Sequence, residues 1–181
     1  MIIAITGTPG TGKTSVSSIL REKGYNVIDF KKIAIDNNFI LSKDEKRNSL
    51  IIDIEKIDKY FKKSLKDKNE LYIIEGHLTH LLKCIDKTII LRSHPDKLRE
   101  NLKKRNWKQE KIYENIEAEA LDIILCEAVD LHSKEDIFEI DCTDKSIEDI
   151  SEIIIEMIGK KFNNLKNYKI GNIDWSEDLF K

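Results

Sequence analysis

The sequence predicts a three-layer α/β fold, a five-stranded parallel sheet with helices on both faces. Three observations predict it. Five short apolar runs, at residues 1–6, 25–28, 71–75, 88–91 and 136–140, alternate with segments whose apolar residues recur at helical spacing. The first run, 1–6, is continuously apolar rather than alternating, as strands in the middle of a parallel sheet are. The 181 residues contain no internal repeat and suit one domain with a substantial core.

In chain order, residues 1–6 form the first strand and a glycine-rich turn follows. Val16, Ile19 and Leu20 then make one apolar stripe of a helix that Gly24 ends. Residues 25–28 are the second strand, so strand, helix and strand within thirty residues make a right-handed crossover. Residues 29–38 read as a helix stopped by Asn37-Asn38. Residues 39–48 are polar, with Lys43, Asp44, Glu45, Lys46 and Arg47 in one run. Such a run is a solvated loop or, in a kinase, a mobile substrate flap. Ile51, Ile54, Ile57, Tyr60 and Phe61 predict a helix over 50–65, closed by Lys66-Asp67-Lys68-Asn69.

The third strand, 71–75, ends in Glu75, and a short helix is expected over 77–84. The fourth strand is closed by Arg92. Ser93-His94-Pro95-Asp96 starts a helix that Leu98 and Leu102 turn inward. After an interruption at 103–107, Ile112, Ile116, Ala120, Ile123, Ile124 and Ala128 predict one long helix over 108–131. The fifth strand and the loop 141–145 lead to Ser146, which caps a last helix with Glu148 and Asp149 in its first turn. Gly159 ends that helix. The single domain is expected over 1–160, and 161–181 reads as a polar, loosely attached tail with isolated aromatics at Phe162, Trp175 and Phe180.

Chemistry concentrates in Gly7-Thr8-Pro9-Gly10-Thr11-Gly12-Lys13-Thr14, between the first strand and first helix. That is the phosphate-binding P-loop in its required context. Glycines let successive N–H groups turn inward on phosphate oxygens, Lys13 reaches the β- and γ-phosphates, and the Thr14 hydroxyl holds Mg²⁺. The chain is therefore expected to bind a nucleoside triphosphate, within a P-loop NTPase fold. Glu75, an acid closing a hydrophobic strand, is a second metal-orienting group, directly or through water. His77 has a side chain suited to positioning a water or acceptor, although a lone histidine is more often structural. His77-Leu78-Thr79-His80 has a metal-like look but lacks acidic or cysteine partners at suitable spacing. Arg92, Arg99 and Arg105 form a basic set that could close over phosphates; Lys103-Lys104-Arg105 could equally be a solvated helix end. All these groups, with Lys145, follow the carboxyl ends of strands, where such sheets bind ligands.

Composition excludes other classes. Charged residues reach 35% but nearly cancel, at −2, which gives no electrostatic case for nucleic acid, DNA included, or for a membrane surface. Cys84, Cys126 and Cys142 show no C-x-x-C spacing and read as apolar fillers of a reducing compartment. No run approaches a membrane span, and the chain opens directly on a strand, so a cytoplasmic protein is expected.

Taken together, Ile5 to Thr14, Glu75 with His77, Leu91-Arg92, and Arg105-Asn106-Trp107 with Lys111, Asn115, Ile116 and Glu119 resemble the adenylate kinase 6 family, the Fap7-like nucleotide kinases. The resemblance spans about residues 1–150. It implies a monophosphate flap near 30–53 and a short lid near 104–114. It implies ATP held by Gly10, Gly12, Lys13, Thr14 and Ser15, with Arg105 contacting the nucleotide from the lid and Lys145 beside the adenine. It implies the reaction ATP + AMP to two ADP, with broad monophosphate tolerance and ATPase activity. It also implies a role in late small ribosomal subunit maturation with the ribosomal protein uS11, to which the histidine matching His77 is tied. Two positions depart from the family pattern. The strand-three motif carries Glu75-Gly76 where an Asp and an aromatic are usual, and no arginine stands near Ile35 to grip the monophosphate, a task left to Arg47 or Lys32. A small-metabolite kinase, such as a shikimate or dephospho-coenzyme A kinase, shares the core but lacks the lid pattern.

Overall fold

A computed structural model describes residues 1–177 apart from Lys46, Asn48, Lys66 and Lys68. The helix-ending Lys66 and Lys68, Lys46 of the charged run, and Phe180 of the tail therefore lie outside the described residues. Five strands form one parallel sheet in the order β2-β5-β1-β6-β7: β1 (Ile2–Thr6), β2 (Asn26–Asp29), β5 (Tyr72–Glu75), β6 (Lys87–Arg92) and β7 (Ile137–Asp141). The P-loop follows β1, the central strand, which pairs with β5 on one side and β6 on the other.

The apolar runs of β1, β5, β6 and β7 are buried on both faces because successive side chains alternate, while the edge strand β2 stays partly exposed. Ile3, Ile5 and Ile73 face α1 (Lys13–Glu22) and α7 (Ile147–Gly159), together with Val16, Leu20, Ile150 and Ile154. Ala4 and Ile74 face α2 (Phe30–Asp36) and α3 (Ile54–Ser64), with Phe30, Ile57 and Phe61. Ser146 caps α7 as expected: its hydroxyl accepts from the Asp149 N–H at 3.0 Å, and the Asp149 carboxylate accepts from the Ser146 N–H at 3.2 Å. Among the described residues no helix is long and apolar enough to cross a membrane.

Five expectations are corrected. The polar stretch 39–48 is not a plain loop, and the helix expected over 50–65 begins late. Instead β3 (Ile40–Asp44) and β4 (Ser49–Ile52) form an antiparallel hairpin, and α3 starts only at Ile54. Asp53 makes the break: its N–H donates to the Phe39 carbonyl at 2.8 Å while its side chain accepts from the Lys56 N–H at 3.1 Å as N-cap. The long helix over 108–131 is two, α5 (Gln109–Ala120) and α6 (Ile123–Leu131), divided at Asp122, whose φ is +56°. Residues 77–84 hold only a single 3₁₀ turn, Thr79–Leu81. Finally, the segment after Gly159 is packed rather than loose. Phe162 and Leu165 are buried in the α7-side core, with the Phe162 ring 5.2 Å from that of Phe138. Lys169 bridges to Phe138, and the Gly171 N–H donates to Glu139 Oε2 at 3.0 Å.

Candidate active site

The P-loop closes tightly because it has glycine where the chain nearly touches itself. A Cβ on Gly7 would lie 2.3 Å from the Leu91 carbonyl oxygen, and one on Gly10, at φ +106°, 2.8 Å from Leu98 Cδ1. Asn101 of α4 (Pro95–Lys103) donates to the Gly10 carbonyl at 3.1 Å and pins the outer turn. Gly12, the N-cap of α1, has no side chain to cap the first turn. The first-turn N–H groups and the helix dipole therefore face the mouth of the loop, ready for an anion.

Lys13 is buried, and its ammonium donates to the carbonyls of Gly7 at 2.6 Å and Thr8 at 3.0 Å. Burial pulls its pKa down to about 8; nearby Glu75 and Glu119 oppose this, Arg105 adds to it, and Cys142 opposes it slightly. A buried ammonium held only by carbonyls gains charge neutralisation when a phosphate arrives. The Thr14 hydroxyl donates to Glu75 Oε1 at 3.5 Å, so the hydroxyl and the strand-end acid share one place where a divalent ion could bind. Burial and the neighbouring Asp29 raise the Glu75 pKa, which a cation would reverse. Among the described residues no three His, Cys, Asp or Glu gather into a metal cluster. The arrangement suits an ion that takes its remaining ligands from phosphates and water.

His77 stands at the open side of the site, exposed, on the turn after β5. The protein packed around it withholds water, and Lys13, His80, Lys31 and Lys111 repel its proton, so its pKa falls to about 4. The cations around it therefore favour a neutral imidazole at pH 7. His80 turns away into the protein. One ring nitrogen lies 3.0 Å from the Thr6 hydroxyl and the other 2.8 Å from Glu127 of α6. The His77-x-x-His80 pair therefore does not face a common ion.

Ser15 is exposed in the first turn of α1. Arg105 follows α4, its guanidinium 5.9 Å from the Trp107 ring and close enough to Lys13 to depress its proton affinity. Lys145 lies beyond β7, donating to the Asp141 carbonyl at 2.8 Å. Two basic residues are used otherwise than expected. Arg92 does not close over phosphates. It is 2% exposed and donates to the carboxylates of Glu119, Asp122 and Glu139 and to the Glu119 carbonyl. Arg47 is engaged by Asp44 at 3.4 Å and by Glu114 of α5 at 3.2 Å. The lysines near His77, which sequence reasoning did not single out for this place, are Lys31 on α2 and Lys111 on α5. Lys111 belongs to the family-like lid pattern, though not for this place, and no pattern marks Lys31 among so many lysines. Glu119 does carry a signal: an acid on the same helical face as Ile112 and Ile116 has to be paired where it is buried.

Comparisons with known proteins place the chain among relatives. A family model described as an AAA domain matches residues 3–122. A protein named "Putative adenylate kinase" from Archaeoglobus fulgidus is 45% identical over 180 residues, covering 99% of this chain and 94% of its own. The chain belongs to this family. A second member with that name, from Methanocaldococcus jannaschii, is 42% identical over 181 residues, covering 99% of this chain and 96% of its own. The fold extends beyond the adenylate kinase-named family: a shikimate kinase from Acinetobacter baumannii superimposes with a TM-score of 0.60 at 16% identity, over 91% of this chain and 95% of that one. At that identity the likeness speaks for the P-loop kinase fold alone. The family's fold and the site described above together make this chain a nucleotide kinase by relationship, with ATP and Mg²⁺ as the cofactors the family implies.

Proposed function

We propose that the chain is a nucleoside monophosphate kinase that transfers the γ-phosphoryl group of Mg-ATP to AMP and gives two ADP, and that it also hydrolyses ATP. The observation that supports this most is the hairpin β3–β4 reaching across to the lid side. Arg47 in its connection bonds Glu114 of α5, and Lys111 donates to the Arg47 carbonyl at 3.1 Å. A pure ATPase has no use for a flap that meets the lid; an enzyme with two nucleotide substrates needs both covered from water. The phosphate of AMP attacks with an oxygen that is already ionised, so alignment and charge neutralisation carry the reaction. Gly10, Gly12, Lys13, Thr14 and Ser15 hold the triphosphate. Arg105 stabilises charge from the lid, and Lys145 lies beside the base. Thr14 and Glu75 would hold Mg²⁺, which would supply charge neutralisation for the transferring phosphoryl group. Lys31 and Lys111, rather than Arg47, bring cations to the acceptor side near His77.

The measurement is AMP consumed, ADP formed and inorganic phosphate released, for wild type and His77→Ala. The expected result is AMP-stimulated turnover with two ADP per ATP, kept within about fivefold in His77→Ala, while phosphate release in that variant falls about tenfold or more. One ADP and one phosphate per ATP, unchanged by AMP, would overturn the kinase reading. In that case the second reading gains: an ATPase whose nucleotide state sets its grip on a protein partner, uS11, during late maturation of the small ribosomal subunit. The exposed, neutral His77 favours that reading, since it needs no proton loss before it can orient water.

Lys13 also sets a pH limb. The ammonium must be charged to bind phosphate, and it loses its proton as pH rises through about 8 in the free protein. The expected kcat/KM for Mg-ATP therefore falls above about pH 8, two units or so earlier than an ordinary lysine would dictate. A profile flat to pH 9.5 would contradict it.

A further inference from the structure

Thr8 occupies the second position of the P-loop and is 2% exposed. Its two polar ends face different ways. The carbonyl accepts from Lys13 Nζ at 3.0 Å and from the Thr11 hydroxyl at 3.0 Å, while the hydroxyl donates to Glu119 Oε2 of α5. The other oxygen of Glu119 accepts from Arg92 Nε at 2.8 Å and from the Ser93 N–H at 3.1 Å. Glu119 is itself 3% exposed. One carboxylate thus ties the P-loop, the end of β6 and the last turn of the lid helix into a single buried joint. We propose that Glu119 is a positioning residue for phosphoryl transfer, fixing the Thr8 carbonyl, and through it Lys13, by way of the Thr8 hydroxyl.

A structural role alone accounts poorly for this placement. The joint holds three carboxylates, Glu119, Asp122 and Glu139, against one guanidinium, Arg92. Burying such ions is no gain over a packed apolar pair. A carboxylate in contact with an anion-binding loop also opposes the arriving phosphate. Its position makes sense where its geometry is needed by the loop, and its charge helps to keep the buried Lys13 protonated. Because α5 also carries Lys111 and Glu114, which meet the flap, the same joint makes the loop's shape depend on how the lid helix sits. The inference rests on the kinase reading for its assay.

The test uses Thr8→Val, which keeps the shape and removes the donor, beside Thr8→Ser, which restores it. Circular dichroism melting first confirms that both variants fold. In AMP-stimulated turnover, kcat of Thr8→Val is expected to fall about 10- to 100-fold with KM for Mg-ATP changed less than about threefold, and Thr8→Ser to recover at least half of wild-type kcat. Thr8→Val within twofold of wild type, or Thr8→Ser as slow as Thr8→Val, would overturn the proposal. If wild type shows no AMP-stimulated turnover, the kinase reading has failed on its own. The joint is then read from binding of Mg-ADP with aluminium fluoride, a mimic of the transferring phosphoryl group. Tenfold weaker binding of this probe by Thr8→Val, with Mg-ADP itself unchanged within about threefold, supports the proposal; equal binding overturns it.

Discussion

Lys13→Met is expected to lower ATP turnover by about 10³-fold or more, with AMP present or absent. The side chain is buried under the loop and held by two carbonyls, so nothing else occupies its place when it is gone. The variant removes one positive charge from a site where water is excluded, and there the loss is felt most in the transition state. Folding should be kept: methionine fills the same volume and ends the need to bury an ammonium that burial already destabilises. A melting curve at or above that of wild type, with turnover lost, is the expected pair of results. Turnover within tenfold of wild type would place the phosphate site elsewhere.

The second large effect is on stability. Arg92→Met is expected to cost on the order of 3–5 kcal/mol at pH 8, because it leaves Glu119, Glu139 and Asp122 facing one another without their cation. For a domain of this size that lowers the melting temperature by about 10 °C or more. The pH dependence has a definite sign. Glu139 already has its pKa raised by burial, a shift that Arg92 opposes. Without the guanidinium the folded-state pKa of Glu139 rises further above its unfolded value. Such acids destabilise the fold while they are forced to ionise, and the cost fades as pH falls and they take up protons. The melting difference between Arg92→Met and wild type should therefore shrink from pH 8 to pH 5.5. A difference that grows toward low pH would mean that the carboxylates are solvated and the joint is open.

Both effects arise at one sheet edge, and only one of them was visible beforehand. The P-loop was legible because its function is local. Glycines, a lysine and a hydroxyl at fixed spacing carry their meaning within eight residues, and the strand before and helix after need only short patterns. The same holds for Ser146, whose capping box closes on a residue three positions on. Arg92 reads in sequence as one more basic residue near a phosphate site, because its three carboxylate partners lie 27, 30 and 47 positions away. The hairpin is hidden in the sequence for a different reason. Ile51, Ile54 and Ile57 fit a helix, and one residue, Asp53, decides otherwise by bonding back to Phe39. The helix break at Asp122 follows the same logic. The periodicity runs through it, and the backbone turns at φ +56° where the carboxylate meets Arg92.

The sequence by itself determined the α/β order of elements, the parallel sheet and the phosphate loop at its centre, because hydrophobic period and glycine placement act over a few residues. Tertiary structure alone decided which charged groups face phosphate and which neutralise one another. It turned Arg92 inward, gave Arg47 to Glu114, and set Thr8 between Glu119 and Lys13. The reason is that a charge is satisfied by whatever lies within a few ångströms, and that neighbourhood exists only once distant parts of the chain have packed.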